Sequence, residues 1–257
     1  MSALLYAGDN VEVLRRVVQD NSIQLTVTSP PYDNLRKYNG FTWDFEAVAR
    51  ELYRVTKSGG VVVWVVADAT VNGSETGTSF RQALFFKECG FNLHDTMIYE
   101  KAGTGACGSN LAYWQTWEYM FVLSKGAPSI VNRLRDIPNK KAGCVNTRGR
   151  VGNDGAIKDT VRRVTPEFSV RTNIWRILAG NNGDDKVPHP AKFPEALARD
   201  HVLSWSNAGD TVLDPFAGSG TTGKMAVTNS RSFIGIDISP AYVDLAKGRI
   251  PGAEVVL

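Results

Sequence analysis

The chain has 257 residues, 43% of them hydrophobic, a length and composition that suit one large α/β domain with a sizeable core. Its net charge of +3, from 29 basic and 26 acidic residues, is too small to identify a partner. Cys89, Cys107 and Cys144 are far apart and show no ligand spacing, which argues against a disulfide framework or a metal site. The start lacks a signal-peptide pattern, and no apolar run approaches the roughly 20 residues of a membrane span. A cytoplasmic protein without a membrane partner is expected.

In chain order, residues 4–6 and 24–28 read as short buried strands around a helix over 11–20. The second strand runs into Ser29-Pro30-Pro31-Tyr32. Residues 45–56 have helical spacing, with Val48, Leu52 and Val55 on one face, and are expected to end at Gly59-Gly60. The β-branched run 61–66 predicts a strand buried on both faces. A helix over 79–89 stops at Gly90, and strands over 92–99 and 118–123 are joined by a glycine-rich loop.

From 124 to 171 apolar periodicity fades and basic residues outnumber acidic ones about three to one, from Arg133 and Arg135 to Arg162 and Arg163. This stretch is expected to be a small basic insert, either solvated or facing phosphates. Order returns over 173–178, followed by a helix over 193–204, a strand over 211–214, a glycine-rich turn over 216–220, a helix over 221–228, a strand over 232–237 and a helix over 240–249. Pro240 suits the first turn of that last helix. The alternation predicts a single α/β domain over 1–257, a doubly wound, mostly parallel sheet.

Two segments carry chemistry. The turn Asp214-Pro215-Phe216-Ala217-Gly218-Ser219-Gly220-Thr221-Thr222 lies between a strand and a helix, where glycine allows close approach of backbone to a ligand. Asp237 ends the next strand, where a carboxylate can hold ribose hydroxyls. Against a dinucleotide, the turn is read as lacking the third glycine of that fingerprint. Asp214 before the turn would also repel a pyrophosphate and suit the cationic end of S-adenosylmethionine.

The second segment is Ser29-Pro30-Pro31-Tyr32. Two prolines stiffen the backbone and remove two N–H donors, leaving an acceptor-rich corner of the Ser29 side chain and the Pro30 carbonyl. The amine of adenine or cytosine is a poor nucleophile because its lone pair is delocalised into the ring. Acceptors on both of its hydrogens favour a pyramidal nitrogen, which frees that pair to attack a sulfonium methyl. Tyr32 offers a flat face to an unstacked base.

Together, Thr28-Ser29-Pro30-Pro31-Tyr32 and Asp214–Thr222 resemble the amino-methyltransferase family of DNA modification enzymes, in its permuted β-group with the catalytic motif first. Gly8-Asp9-Asn10, Asn173-Ile174-Trp175, His189 to Pro194 and Gly235-Ile236-Asp237-Ile238 match further family segments. The resemblance implies the S-adenosylmethionine-dependent methyltransferase fold and assigns a catalytic group of Ser29, Pro30, Pro31 and Tyr32. It also implies a cofactor group of Asp9, Thr28, His189, Lys192, Asp214, Phe216, Gly218, Gly220, Thr221 and Asp237, with no metal. The implied substrate is double-stranded DNA, modified on a flipped base. Ser29 favours cytosine N4 over adenine N6.

The insert at 124–171 falls where the family keeps its target-recognition region, with Arg148 and Arg150 as candidates to read guanine edges. The loop at 101–110 is a candidate to close over the base. A two-fold homodimer is compatible with the family. Rival readings are an RNA or protein-glutamine methyltransferase, an NAD-dependent oxidoreductase and a non-catalytic DNA-binding module.

Overall fold

The computed structural model describes residues 2–31, 43–102, 113–146, 150–151, 153, 155–158, 162–178 and 194–256. Nine strands form the main sheet: β1 (Ala3–Ala7), β2 (Ile23–Thr28), β3 (Thr56–Val66), β4 (Asn92–Ala102), β5 (Trp117–Ser124), β6 (Ile174–Leu178), β7 (Thr211–Asp214), β8 (Ser232–Asp237) and β9 (Ala253–Val256). Their order across the sheet is β6-β4-β5-β3-β2-β7-β8-β1-β9. Of these nine, β5 alone runs against the rest, pairing antiparallel with β3 and β4.

Six helices flank the sheet: α1 (Asn10–Val17), α2 (Phe45–Val55), α3 (Thr78–Glu88), α4 (Glu195–Trp205), α5 (Thr221–Thr228) and α6 (Pro240–Arg249). The first three pack in sequence, as do the last three. On one face, Val11 and Leu14 of α1, Val48 and Leu52 of α2 and Phe86 of α3 bury against Tyr6, Val62, Trp64, Leu213 and Ile236 of the strands. Trp64 is fully buried, and its ring N–H is satisfied by Gln82 Oε1 at 2.9 Å. All six residues of β2 are buried, as expected for a central strand covered on both faces. The sheet is doubly wound and mostly parallel, as its alternating pattern predicts.

Two details differ from the sequence reading. Helix α2 ends at Val55, not at the glycine pair, because Thr56 takes extended backbone angles and opens β3. Gly59 sits in the left-handed region (φ +78°), and its N–H bonds the Lys125 carbonyl. Strand β9, which pairs with β1 from Ala3↔Ala253 to Tyr6↔Val256, has no counterpart in the predicted elements.

The central unit comprises Met1–Asn132 and Asn173–Leu257, and Arg133–Thr172 forms a second unit. Residues 125–132 run along the central unit: Ser129 N–H bonds Gly59 O at 2.9 Å and Asn132 N–H bonds Ser204 O at 2.8 Å. The second unit is a nested series of antiparallel pairs. Arg135–Pro138 pairs with Phe168–Val170, Val145–Asn146 with Arg163–Val164, and Arg150–Val151 with Ile157–Lys158. Between these pairs, bonds such as Gly143 N–H to Thr165 O at 2.9 Å continue the ladder, and Arg171 forms an ion pair with Asp136. Ile137, Val145, Val164 and Phe168 are exposed, and antiparallel backbone pairing links the segments of this unit.

Candidate active site

The order of the sheet reverses where β2 meets β7, and ligands of such sheets bind outside the carboxyl ends of the strands at that point. Both sequence motifs begin there. Leu25 and Thr26 of β2 pair with Val212 and Leu213 of β7, so the chain leaves β2 into Ser29-Pro30-Pro31 beside the point where β7 delivers Asp214. Ser29 and Pro31 are half-buried and Pro30 is buried. Tyr32, His189, Lys192 and most of the loop at 101–110 lie outside the described residues.

The two motifs are joined directly. Thr28, expected among the cofactor residues, donates its hydroxyl to Asp214 Oδ1 at 2.7 Å. The same oxygen accepts the Phe216 N–H at 3.1 Å, and Thr222 of α5 donates to the Val27 carbonyl at 3.2 Å. Burial pushes the Asp214 carboxyl up to about 6, and the charge of Asp237 adds to the shift. The hydrogen bonds from the Thr28 hydroxyl and the Phe216 N–H oppose it.

Asp237 ends β8, and both of its oxygens receive backbone N–H groups, Gly218 at 2.8 Å and Ser239 at 2.9 Å. Burial raises its pKa as well, against these two bonds. Asp237 therefore fixes the glycine turn while presenting a carboxylate at the strand end. Gly8 N–H bonds the Asp237 carbonyl at 3.0 Å, which brings the Gly8-Asp9-Asn10 segment to the same edge. Asp9 caps α1, accepting the Glu12 N–H at 3.0 Å, and Asn10 Nδ2 donates to the Pro215 carbonyl at 3.3 Å.

Gly218 (φ +50°) and Gly220 (φ +79°) both take left-handed backbone angles, and Gly220 is the residue at which α5 starts. A side chain on Gly220 would meet Ala246 at 2.8 Å and Ile250 at 2.9 Å. The expected absence of a third glycine is wrong. Gly218, Gly220 and Gly223 have the full Gly-x-Gly-x-x-Gly spacing. A Cβ on Gly223 would lie 2.5 Å from both Phe233 and Ile250, so this glycine permits close packing of helix on strand. The case against a dinucleotide rests on Asp214 instead, since a carboxylate in the position of Asp237 holds ribose hydroxyls in dinucleotide sites too. A carboxylate at Asp214 repels a pyrophosphate and suits positive charge. The donor set fits S-adenosylmethionine.

Sequence reasoning missed two supports of this site. Trp43 lies edge-on to Phe216, with centroids 4.9 Å apart, and Trp64 stands 6.2 Å from the same ring. Arg249 at the end of α6 donates to the Ser219 carbonyl behind the turn and reaches Glu195, which pairs with Lys224 at 2.7 Å. Basic residues near a helix end and a tryptophan after a loop are too common in sequences to have signalled these roles.

Comparison with known proteins places this geometry. A family model described as DNA methylase matches residues 23–248. The chain is 54% identical over 244 residues to the orphan methyltransferase M.BamHII of Bacillus amyloliquefaciens, covering 92% of each protein. It also resembles TTHA0409 of Thermus thermophilus, described as a putative DNA modification methylase and solved in complex with S-adenosyl-L-methionine. The TM-score there is 0.66 and the identity 27%, covering 99% of this chain and all of the other. The cytosine-N4-specific PvuII DNA methyltransferase shares the fold, with a TM-score of 0.71 at 22% identity over 97% of this chain and 86% of that one. With its acceptor corner and glycine turn side by side, and this match across nearly its whole length, the chain belongs to the N6/N4 DNA methylase family.

Proposed function

We propose that this protein transfers a methyl group from S-adenosylmethionine to the exocyclic amine of a base flipped out of double-stranded DNA, with cytosine N4 as the target. The observation that carries the reading is the Thr28–Asp214 hydrogen bond of 2.7 Å, which ties the end of the acceptor motif to the start of the cofactor turn. Asp237 and the turn at Gly218–Gly220 hold the ribose and methionine portions of the cofactor, with Phe216 beside them. The cofactor supplies an electrophilic methyl group. Ser29 Oγ and the Pro30 carbonyl accept the two hydrogens of the target amine and release its lone pair, and Tyr32 stacks on the base. His189 and Lys192 would pair with the cofactor carboxylate, and Asp9 would accept from its adenine amine.

The β-ribbon arm, Arg133–Thr172, supplies DNA contacts. A two-stranded ribbon fits the major groove, and exposed Arg133, Arg135, Lys140, Lys141, Arg162 and Arg163 offer charge to phosphates. A DNA substrate also fits a cytoplasmic location; among the described residues no helix is long and apolar enough to cross a membrane.

The test is to incubate the protein with tritiated S-adenosylmethionine and, separately, duplex DNA, RNA and a protein mixture, and then to hydrolyse the products. Label is expected in DNA as N4-methylcytosine. Label only in N6-methyladenine would overturn the base assignment, and label in RNA or protein but not DNA would overturn the substrate. Ser29→Ala is expected to remove most turnover while leaving cofactor affinity largely intact.

A further inference from the structure

We infer that Thr28 is a positioning residue for methyl transfer: its hydroxyl, bonded to Asp214 across the neighbouring strands β2 and β7, sets the acceptor corner Ser29-Pro30 against the glycine turn. The inference rests on the methyl-transfer reading above and adds a residue that acts through its neighbours rather than on either reactant.

Thr28 is 1% exposed and Asp214 5%, so the pair lies within the sheet rather than on an open surface. A hydroxyl has one hydrogen, and that of Thr28 goes to Asp214 Oδ1. The β-branched side chain is stiff about its first torsion, so this bond fixes the backbone one residue before Ser29. On the other side, Oδ1 also accepts the Phe216 N–H at 3.1 Å. One carboxylate oxygen thus fixes both motifs: it receives a side chain from the acceptor motif and a backbone group from the cofactor turn.

Other contacts hold the same seam without Asp214. Thr222 Oγ1 bonds the Val27 carbonyl at 3.2 Å, and β2 pairs with β7 at Leu25↔Val212 and Thr26↔Leu213. These keep the segments adjacent when Thr28 is altered. Removing the Thr28 hydroxyl therefore loosens their mutual placement without separating them. In-line transfer is sensitive to placement, and a misalignment of about 1 Å can cost on the order of a hundredfold in rate.

The experiment compares Thr28→Val, which keeps the shape and removes the donor, with Thr28→Ser, which keeps the donor. Single-turnover methylation of duplex DNA is measured alongside calorimetric affinity for S-adenosylhomocysteine. The expected result for the valine variant is a rate about ten- to a hundredfold lower, with affinity within about threefold of the parent, because the cofactor contacts are unchanged. The serine variant is expected to recover the rate to within about threefold. A double-mutant cycle of Thr28→Val with Asp214→Ala, which removes the acceptor, should be strongly non-additive in rate, because both changes act on one bond. An unchanged valine rate, equal losses of rate and affinity, failure of serine to recover the rate or an additive cycle would each overturn the inference. If the valine variant does not fold, Thr28→Ala, which also removes the donor, is compared with Thr28→Ser and decides by the same rate and affinity criteria. A parent protein that methylates no DNA would instead overturn the function on which the inference rests.

Discussion

A carboxylate within a sheet is costly unless something repays it, and Asp214 is such a group. Burial raises its pKa to about 6 from an ordinary value of 3.8, despite the hydrogen bonds from Thr28 and the Phe216 N–H that pull the other way. The folded protein thus holds this proton more tightly than the unfolded chain does. The contribution of Asp214 to stability is fully present below the ordinary carboxylate pKa and is lost as pH rises from about 4 through about 6. At neutral pH the ionised side chain destabilises the fold. Asp214→Asn keeps the shape and an oxygen that can accept from Thr28 and Phe216. It is therefore expected to be more stable than the parent at pH 7.5, by about 1–3 kcal/mol, with the advantage vanishing near pH 4. Urea unfolding at the two pH values checks this, and an asparagine variant that is less stable than the parent at pH 7.5 would contradict it. A site that retains a charge against its own stability does so for a ligand, consistent with a cationic cofactor.

At the scale of elements, the turn and α5 work as one unit pressed against β8 and α6. Gly223 is the contact point, since a methyl group there would stand 2.5 Å from the rings and chains of Phe233 and Ile250. Gly223→Ala is expected to destabilise the fold by about 1–3 kcal/mol through overpacking and to weaken cofactor binding by displacing the turn. Thermal unfolding with and without S-adenosylhomocysteine measures both effects; a variant as stable as the parent would show that α5 can shift at no cost. Elements such as β2, β3, β7 and α5 were legible because burial on both faces and the strand–turn–helix alternation leave local patterns. The end of α2 was not, because Thr56 and the left-handed Gly59 serve a strand that bends and not a helix that stops. The bonds that assemble the site were also illegible, since Thr28 and Asp214 lie 186 positions apart and Asn10 and Pro215 lie 205 apart. The arm's strands, two to four residues long, are too short to imprint a period.

At the scale of the whole molecule, the small net charge conceals a division. Arg133–Thr172 contains ten basic and four acidic residues, a net +6, while the other 217 residues hold 19 basic and 22 acidic, a net −3. A duplex is therefore repelled by the average field of the larger unit and attracted by the arm. Affinity for non-cognate duplex should then reside in the arm and carry the salt dependence of counterion release. Replacing Arg135, Lys140 and Lys141 with glutamine is expected to reduce the slope of log affinity against log salt by roughly 1 for each phosphate that is no longer neutralised. Replacing Arg16, Lys87 and Lys247, which are equally exposed but lie outside the arm, is expected to leave the slope nearly unchanged. Cofactor affinity should be the same in both variants, because neither set touches the glycine turn. Fluorescence anisotropy on one duplex across a salt series separates the cases. Equal slope changes in the two triple variants would mean that the duplex senses only total charge, and the arm would lose its assignment as the DNA-contacting element.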